Sequence, residues 1–141
     1  MTRIEFFSNV PDKYVKIAEL CDKAVAKGRQ LTIIVQNNNI AQQLQQQLWQ
    51  HSSTSFLPSA HLEDTTSKFA PIIFQTHTNT HIQDDVLINC HHETPAFFSR
   101  FRYLVELVGT DESDKVAART RYRFYRERGY EIKMTDMAKL I

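Results

Sequence analysis

Apolar residues along this chain switch repeatedly between strand-like and helix-like spacing. Arg3 to Ser8 places Ile4, Phe6 and Phe7 in a short apolar run and predicts a first strand. Pro11 suits the first turn of a following helix, where its missing N–H costs nothing. Tyr14, Ile17, Ala18, Cys21, Ala24 and Val25 then recur at helical spacing as far as Gly28, a fitting residue just past a helix end. Leu31 to Gln36 is nearly continuous in apolar, β-branched residues, as a strand covered on both faces should be. Asn37, Asn38 and Asn39 offer caps for a second helix with Ile40, Leu44 and Leu48 on one ridge.

The rhythm continues through the second half. Pro71 to Gln75, Val86 to Cys90 and Phe101 to Val108 read as strands, with a short helix opening at Pro95. Asp111 to Arg128 reads as a strong helix closed by Gly129, and Tyr130 to Lys133 as a last strand. Such alternation predicts an α/β fold: a single domain over residues 1–141, with a mostly parallel central sheet and helices on both faces. The stretch from Gln50 to Ala70 shows no clear element, yet holds Phe56, Leu57, Pro58, Leu62 and Phe69. Long disordered segments are poor in aromatic residues, so this one reads as a packed loop offering apolar surface.

Composition adds little beyond an ordinary globular chain. A formal net charge of +1 gives no global field toward nucleic acid or membrane. No apolar run reaches the ~20 residues of a membrane helix, and the N-terminus lacks a signal-peptide pattern, so a cytoplasmic protein is expected. Cys21 and Cys90 sit within apolar segments and read as buried thiols.

Several chemistries fail on their residues. The glycines are Gly28, Gly109 and Gly129, each at the end of an expected element. The first turn after a strand and before a helix, Ser8-Asn9-Val10-Pro11, has no glycine with which to build a phosphate cradle, and no GxxxxGK[ST] occurs. His77 and His81 fall in a Thr/Asn-rich stretch, and adjacent His91 and His92 would point to opposite faces if extended, so no metal site is expected. Neither cysteine has a basic neighbour to activate it, there is no GxSxG turn, and Asp84-Asp85 reads as a solvated pair. The chain is therefore expected to be no enzyme and to hold no cofactor.

Charge, however, is unevenly placed. From Gln30 to Ser99 the only Lys or Arg is Lys68, whereas Lys115 to Arg128 holds six such residues against the single acid Glu127. Arg119, Tyr122, Arg123 and Arg126 share a helical face at i, i+3, i+4 and i+7, while Ala117, Ala118 and Tyr125 can face the sheet. Like charges at these spacings cost a few tenths of a kcal/mol per pair (roughly), so a merely solvated face would usually mix signs. The guanidinium fork suits carboxylate or phosphate. Two ligands fit: single-stranded nucleic acid stacking on Tyr122, or an acidic peptide with a free chain end, which the near-neutral net charge slightly favours.

The run Ala118-Arg119-Thr120-Arg121-Tyr122-Arg123-Phe124-Tyr125-Arg126-Glu127-Arg128-Gly129-Tyr130 resembles the basic helix of the chi subunit family of bacterial DNA polymerase III. Leu48-Trp49 followed by Ser55-Phe56-Leu57-Pro58 is similar to a second pair of motifs in that family, and order and length agree over nearly the whole chain. Ser59 stands where some relatives have His, and the segments 60–68 and 134–141 add nothing to the likeness. The resemblance implies an α/β fold like mononucleotide-binding proteins without the phosphate loop. It implies a clamp-loader accessory role in DNA replication, with two partners. The acidic C-terminal tail of single-stranded DNA-binding protein would meet Arg119, Tyr122, Arg123 and Arg126, with Val108 as an apolar contact. The psi subunit would form a heterodimer through Trp49, Phe56, Leu57 and Pro58, and a DNA helicase is a further candidate partner.

Overall fold

The computed structural model describes residues 2–50, 59–61, 72–76 and 83–139. In chain order the elements are β1 (Arg3–Ser8), α1 (Lys13–Ala26), β2 (Leu31–Ile34), α2 (Asn38–Gln50), β3 (Ser59–His61), β4 (Ile72–Gln75), β5 (Val86–Asn89), β6 (Tyr103–Leu107), α3 (Glu112–Glu127) and β7 (Ile132–Asp136). Among the described residues seven strands form one sheet in the order β3-β4-β2-β5-β6-β1-β7. Every pairing is parallel, with β1 between β6 and β7: Ile4 lies opposite Leu104 on one side and Ile132 on the other.

A parallel sheet must be covered on both faces, and the apolar residues divide accordingly. On one face, Phe7, Leu31, Ile33, Phe74, Ile88 and Leu107 pack against Ile17, Cys21, Ala41 and Leu44 from α1 and α2. On the other, Ile4, Phe6, Ile34, Leu87 and Leu104 pack against Ala118 and Tyr125 of α3 and against Phe97, Phe98 and Phe101. Each large apolar side chain so buried is worth about 1.5–3 kcal/mol. The doubly covered α/β sheet expected from the sequence is therefore present.

Local chemistry sets the element ends. Asp12, not Pro11, starts α1: its carboxylate accepts the N–H groups of Tyr14 and Val15 at 2.9 and 3.3 Å, leaving Pro11 outside the helix. Asn37 does the same for α2, accepting from the Ile40 N–H at 3.0 Å. Helices α1 and α3 close alike, with Gly28 (φ 73°) and Gly129 (φ 87°) in the left-handed region. The N–H groups of Gly28 and Arg29 return to the carbonyls of Val25 and Ala24, and those of Gly129 and Tyr130 to Arg126 and Tyr125.

That second closure moves the last strand. Tyr130, expected to begin it, spends its N–H on the helix end, so pairing with β1 starts at Ile132 and runs on to Asp136. The strand expected from Phe101 begins at Tyr103, because Phe101 is buried beside the 3-10 turn Phe98–Arg100, which replaces the short helix expected at Pro95. The stretch from Gln50 to Ala70, read as lacking any element, contains edge strand β3, whose three residues are too few to show a period of two.

Candidate functional site

Helix α3 crosses from β6 to β7 over β1, and its register is fixed from both ends. At its start, the buried Asp114 carboxylate accepts the Gly109 N–H at 2.6 Å and meets the Lys13 ammonium at 2.7 Å. Burial opposes ionisation of Asp114, but the Lys13 hydrogen bond and the Gly109 N–H outweigh it and hold the carboxyl below its ordinary range. Gly109 has no left-handed φ, but a Cβ there would lie 3.1 Å from the Asp114 oxygen, so that carboxylate would have to give by a few tenths of an ångström to admit one.

Farther along, α3 turns Asp114, Ala118, Arg121 and Tyr125 toward the sheet. Arg121 was counted from the sequence with the basic cluster; it is instead 2% exposed and belongs to the interior. Its Nε donates to Glu106 Oε1 at 3.0 Å and its Nη1 to the His92 carbonyl at 3.0 Å. Glu106, fully buried on β6, also accepts from the Tyr125 hydroxyl at 2.5 Å and from Asn89 Nδ2 at 3.1 and 3.0 Å. Burial pushes the Glu106 carboxyl upward against the pull of Arg121, Tyr125 and Asn89. A strand covered on both faces leaves a charged side chain no water, so the partners must come from neighbouring elements.

Helical periodicity then sends the remaining cations outward. Between α3 and the C-terminal halves of β1 and β7 lies a groove of about 520 Å³. The buried Phe6, Val108 and Ala118 line it on the inside, Ser8 and Asn9 bound it where β1 ends, and Tyr122, Lys115, Arg119, Arg123 and Met134 complete it. The Tyr122 ring is held edge-on to Phe6, with centroids 5.7 Å apart and planes at 74°. Its hydroxyl accepts from Arg126 Nη1 at 3.0 Å. Arg126 thus fixes the tyrosine but does not itself line the groove. Arg119 lies 3.6 Å from Glu112, both side chains well exposed, and such a pair is worth about 0.2–1 kcal/mol at most. Lys115 and Arg123 have no acidic partner among the described residues.

Of the residues singled out from the sequence, Val108, Arg119, Tyr122 and Arg123 therefore meet in one groove, with Arg126 at its margin. Phe6, Ser8, Asn9, Lys115, Ala118 and Met134 complete it and were not singled out as site residues. Lys115 stands four residues before Arg119, so helical spacing alone could have found it. Met134 joins only because β7 lies beside β1, which no local pattern reveals. Phe56, Leu57 and Pro58 lie outside the described residues, as does the side chain of Trp49 in the last turn of α2.

Other chemistry-bearing residues stand apart. Burial raises the thiol pKa of both Cys21 and Cys90 to about 12, a range in which neither is a nucleophile at neutral pH. Among the described residues no three His, Cys, Asp or Glu side chains form a metal cluster; His77 and His81 lie outside them. No helix among the described residues is long and apolar enough to cross a membrane.

Residues 1–133 match the family model described as DNA polymerase III chi subunit, HolC. The chain belongs to this family. The DNA polymerase III subunit chi of Pseudomonas aeruginosa is 30% identical over 136 residues, covering 94% of each chain. That of Haemophilus influenzae is 27% identical over 106 residues, covering 74% of each. The family model spans β1 through α3 and the first two residues of β7, so every residue lining the groove except Met134 lies within the matched region.

Proposed function

We propose that this chain is a non-catalytic replisome adaptor that captures the acidic C-terminal tail of single-stranded DNA-binding protein in the α3 groove. The observation that carries this is the groove itself: an apolar slot lined by Val108, Phe6 and Tyr122, bordered by the cations Lys115, Arg119 and Arg123. A chain end supplies what such a slot can hold. Its terminal carboxylate and acidic side chains meet guanidinium and ammonium groups, while an apolar side chain enters between Tyr122 and Val108. A nucleic acid has charge but no aliphatic side chain to fill the slot. The second half of the proposal is docking of the psi subunit through Trp49, Phe56, Leu57 and Pro58, which would connect the tail-bound adaptor to the clamp loader. Family membership and the family's Leu-Trp and Phe-x-Pro motifs support that half.

The decisive experiment is a fluorescence titration with a short acidic peptide ending in an apolar residue, free or amidated at its C-terminus. The free peptide binds and the amidated one binds more weakly. Tyr122→Ala, which removes an aromatic anchor worth about 2 kcal/mol or more at interface centres, abolishes detectable binding. Arg119→Ala weakens it by up to about fivefold, the scale of one exposed ion pair. Equal affinity for both peptides, or tight oligonucleotide binding in the groove with no response to peptide, would overturn the assignment.

A further inference from the structure

We propose that the end of the molecule where the sheet strands begin carries a separate surface for single-stranded nucleic acid, centred on Tyr103. The inference is independent of the α3 groove. Three adjoining hollows of about 800, 270 and 360 Å³ meet there, and Tyr103 lines all of them. Around them stand Arg3, Lys23, Lys27, Arg100 and Arg102, none with an acidic partner among the described residues. Two further cations are neutralised locally: Arg29 by Asp85 at 2.9 Å and Lys133 by Glu5 at 3.7 Å. Only Asp84 and Glu131 among the remaining lining residues oppose the five, so this end is locally positive although the chain as a whole is +1.

Helix dipoles account for part of this charge and no more. Lys23 and Lys27 lie at the C-terminal end of α1, where cations are favoured in any case. Arg3 and Arg102 sit at the starts of β1 and β6, and Arg100 in a single 3-10 turn, where no comparable field calls for them. Besides these arginines the hollow is lined by Thr2, Asp84, Ser99, Phe101 and Tyr103; the Thr2 hydroxyl is already donated to the Phe101 carbonyl at 2.7 Å, so the hollow offers guanidinium groups and the Ser99 hydroxyl in place of an apolar slot. It therefore fits a repeating anion better than a peptide end. Tyr103 is half-buried, with the Arg29 guanidinium 5.0 Å from its ring centroid, a stack that an unpaired base can extend. Cations along an arc with an aromatic ring at its centre are the elements of single-strand binding.

The test is fluorescence anisotropy of the full chain with a 5′-labelled thymidine oligomer of about 15 nucleotides, near the upper site size of one single-strand-binding domain. Binding is expected at about 50 mM salt and falls at least tenfold by about 200 mM, as counterion release requires. Arg100→Glu with Arg102→Glu weakens the oligomer by at least about tenfold and leaves the acidic peptide's affinity unchanged. Arg119→Glu with Arg123→Glu does the reverse. All four side chains are exposed, so unfolding midpoints should stay in place. The inference is overturned if the oligomer does not bind at the lower salt, or if the α3 pair removes binding and the Arg100/Arg102 pair does not. It is likewise overturned if a duplex of equal length binds more tightly, or if the acidic peptide displaces the oligomer from this face.

Discussion

Arg121 and Arg123 stand two residues apart on one helix, and their guanidinium groups serve opposite ends. Arg121 is 2% exposed and spends its donors on Glu106 and the His92 carbonyl, while Arg123 is exposed and borders a groove. Two residues turn a helix by more than half a revolution, so the same residue type meets the sheet at one position and water at the other. The inner arginine neutralises a buried carboxylate and ties α3 to β6. The outer ones are left with charge to offer. What the pair teaches is that the outward cations can be aimed at one groove because an inward cation fixes the rotation of the helix.

The largest expected effect attacks the inner side. Glu106→Ala leaves the Arg121 charge buried without its carboxylate, and breaking such a pair from one side costs about 3–5 kcal/mol. Urea unfolding measures it directly. Arg119→Ala and Arg123→Ala, in contrast, should each shift stability by no more than about 0.5 kcal/mol. Comparable losses on the two faces would mean that α3 is not held as described. A gentler probe is Tyr125→Phe, which keeps the ring in its contacts with Phe98 (4.9 Å) and Phe6 (6.1 Å) but removes the hydroxyl from Glu106. Hydrogen bonds to charged groups are worth about 1.5–3 kcal/mol, so this loss should fall below that of Glu106→Ala in the same measurement.

The contrast was only half legible in the sequence. The outward face was, because Arg119, Tyr122, Arg123 and Arg126 follow helical spacing and need nothing else. Arg121 was not, because arginine is ordinarily a surface residue and its partner lies fifteen residues earlier on another element. A signal did exist. Glu106 is the one acid inside an otherwise apolar strand, and Arg121 falls seven residues after Asp114 and four before Tyr125, on the ladder that turned out buried. The central strands β2 and β4 were legible because both of their faces are apolar, whereas the three-residue β3 was not, and limits were missed where a backbone N–H was committed elsewhere, as at Tyr130. Strand order, and with it the arrival of Met134 beside Val108, is set by long-range pairing that no local window contains.

The smallest effect concerns the loop that carries the His92 carbonyl to Arg121. His91 is nearly buried, and its Nδ1 accepts the Glu93 N–H at 3.0 Å, which only the unprotonated nitrogen can do. Burial lowers its pKa below the ordinary 6.5; Glu93 pulls the other way, and His92 and Arg121 add to the lowering. With the folded value depressed, stability is complete above pH 6.5. It declines as pH falls from there to the folded value, because the unfolded chain takes up the proton first. Urea unfolding at pH 7.5 and 5.5, compared with His91→Asn, isolates this contribution. Asparagine can accept the same N–H two residues on but does not titrate, and Glu106, pushed up by its own burial, titrates in both proteins and cancels in the difference. The wild-type chain should lose more stability than His91→Asn between the two pH values. An equal loss would show that the loop holding Arg121 does not depend on a neutral His91.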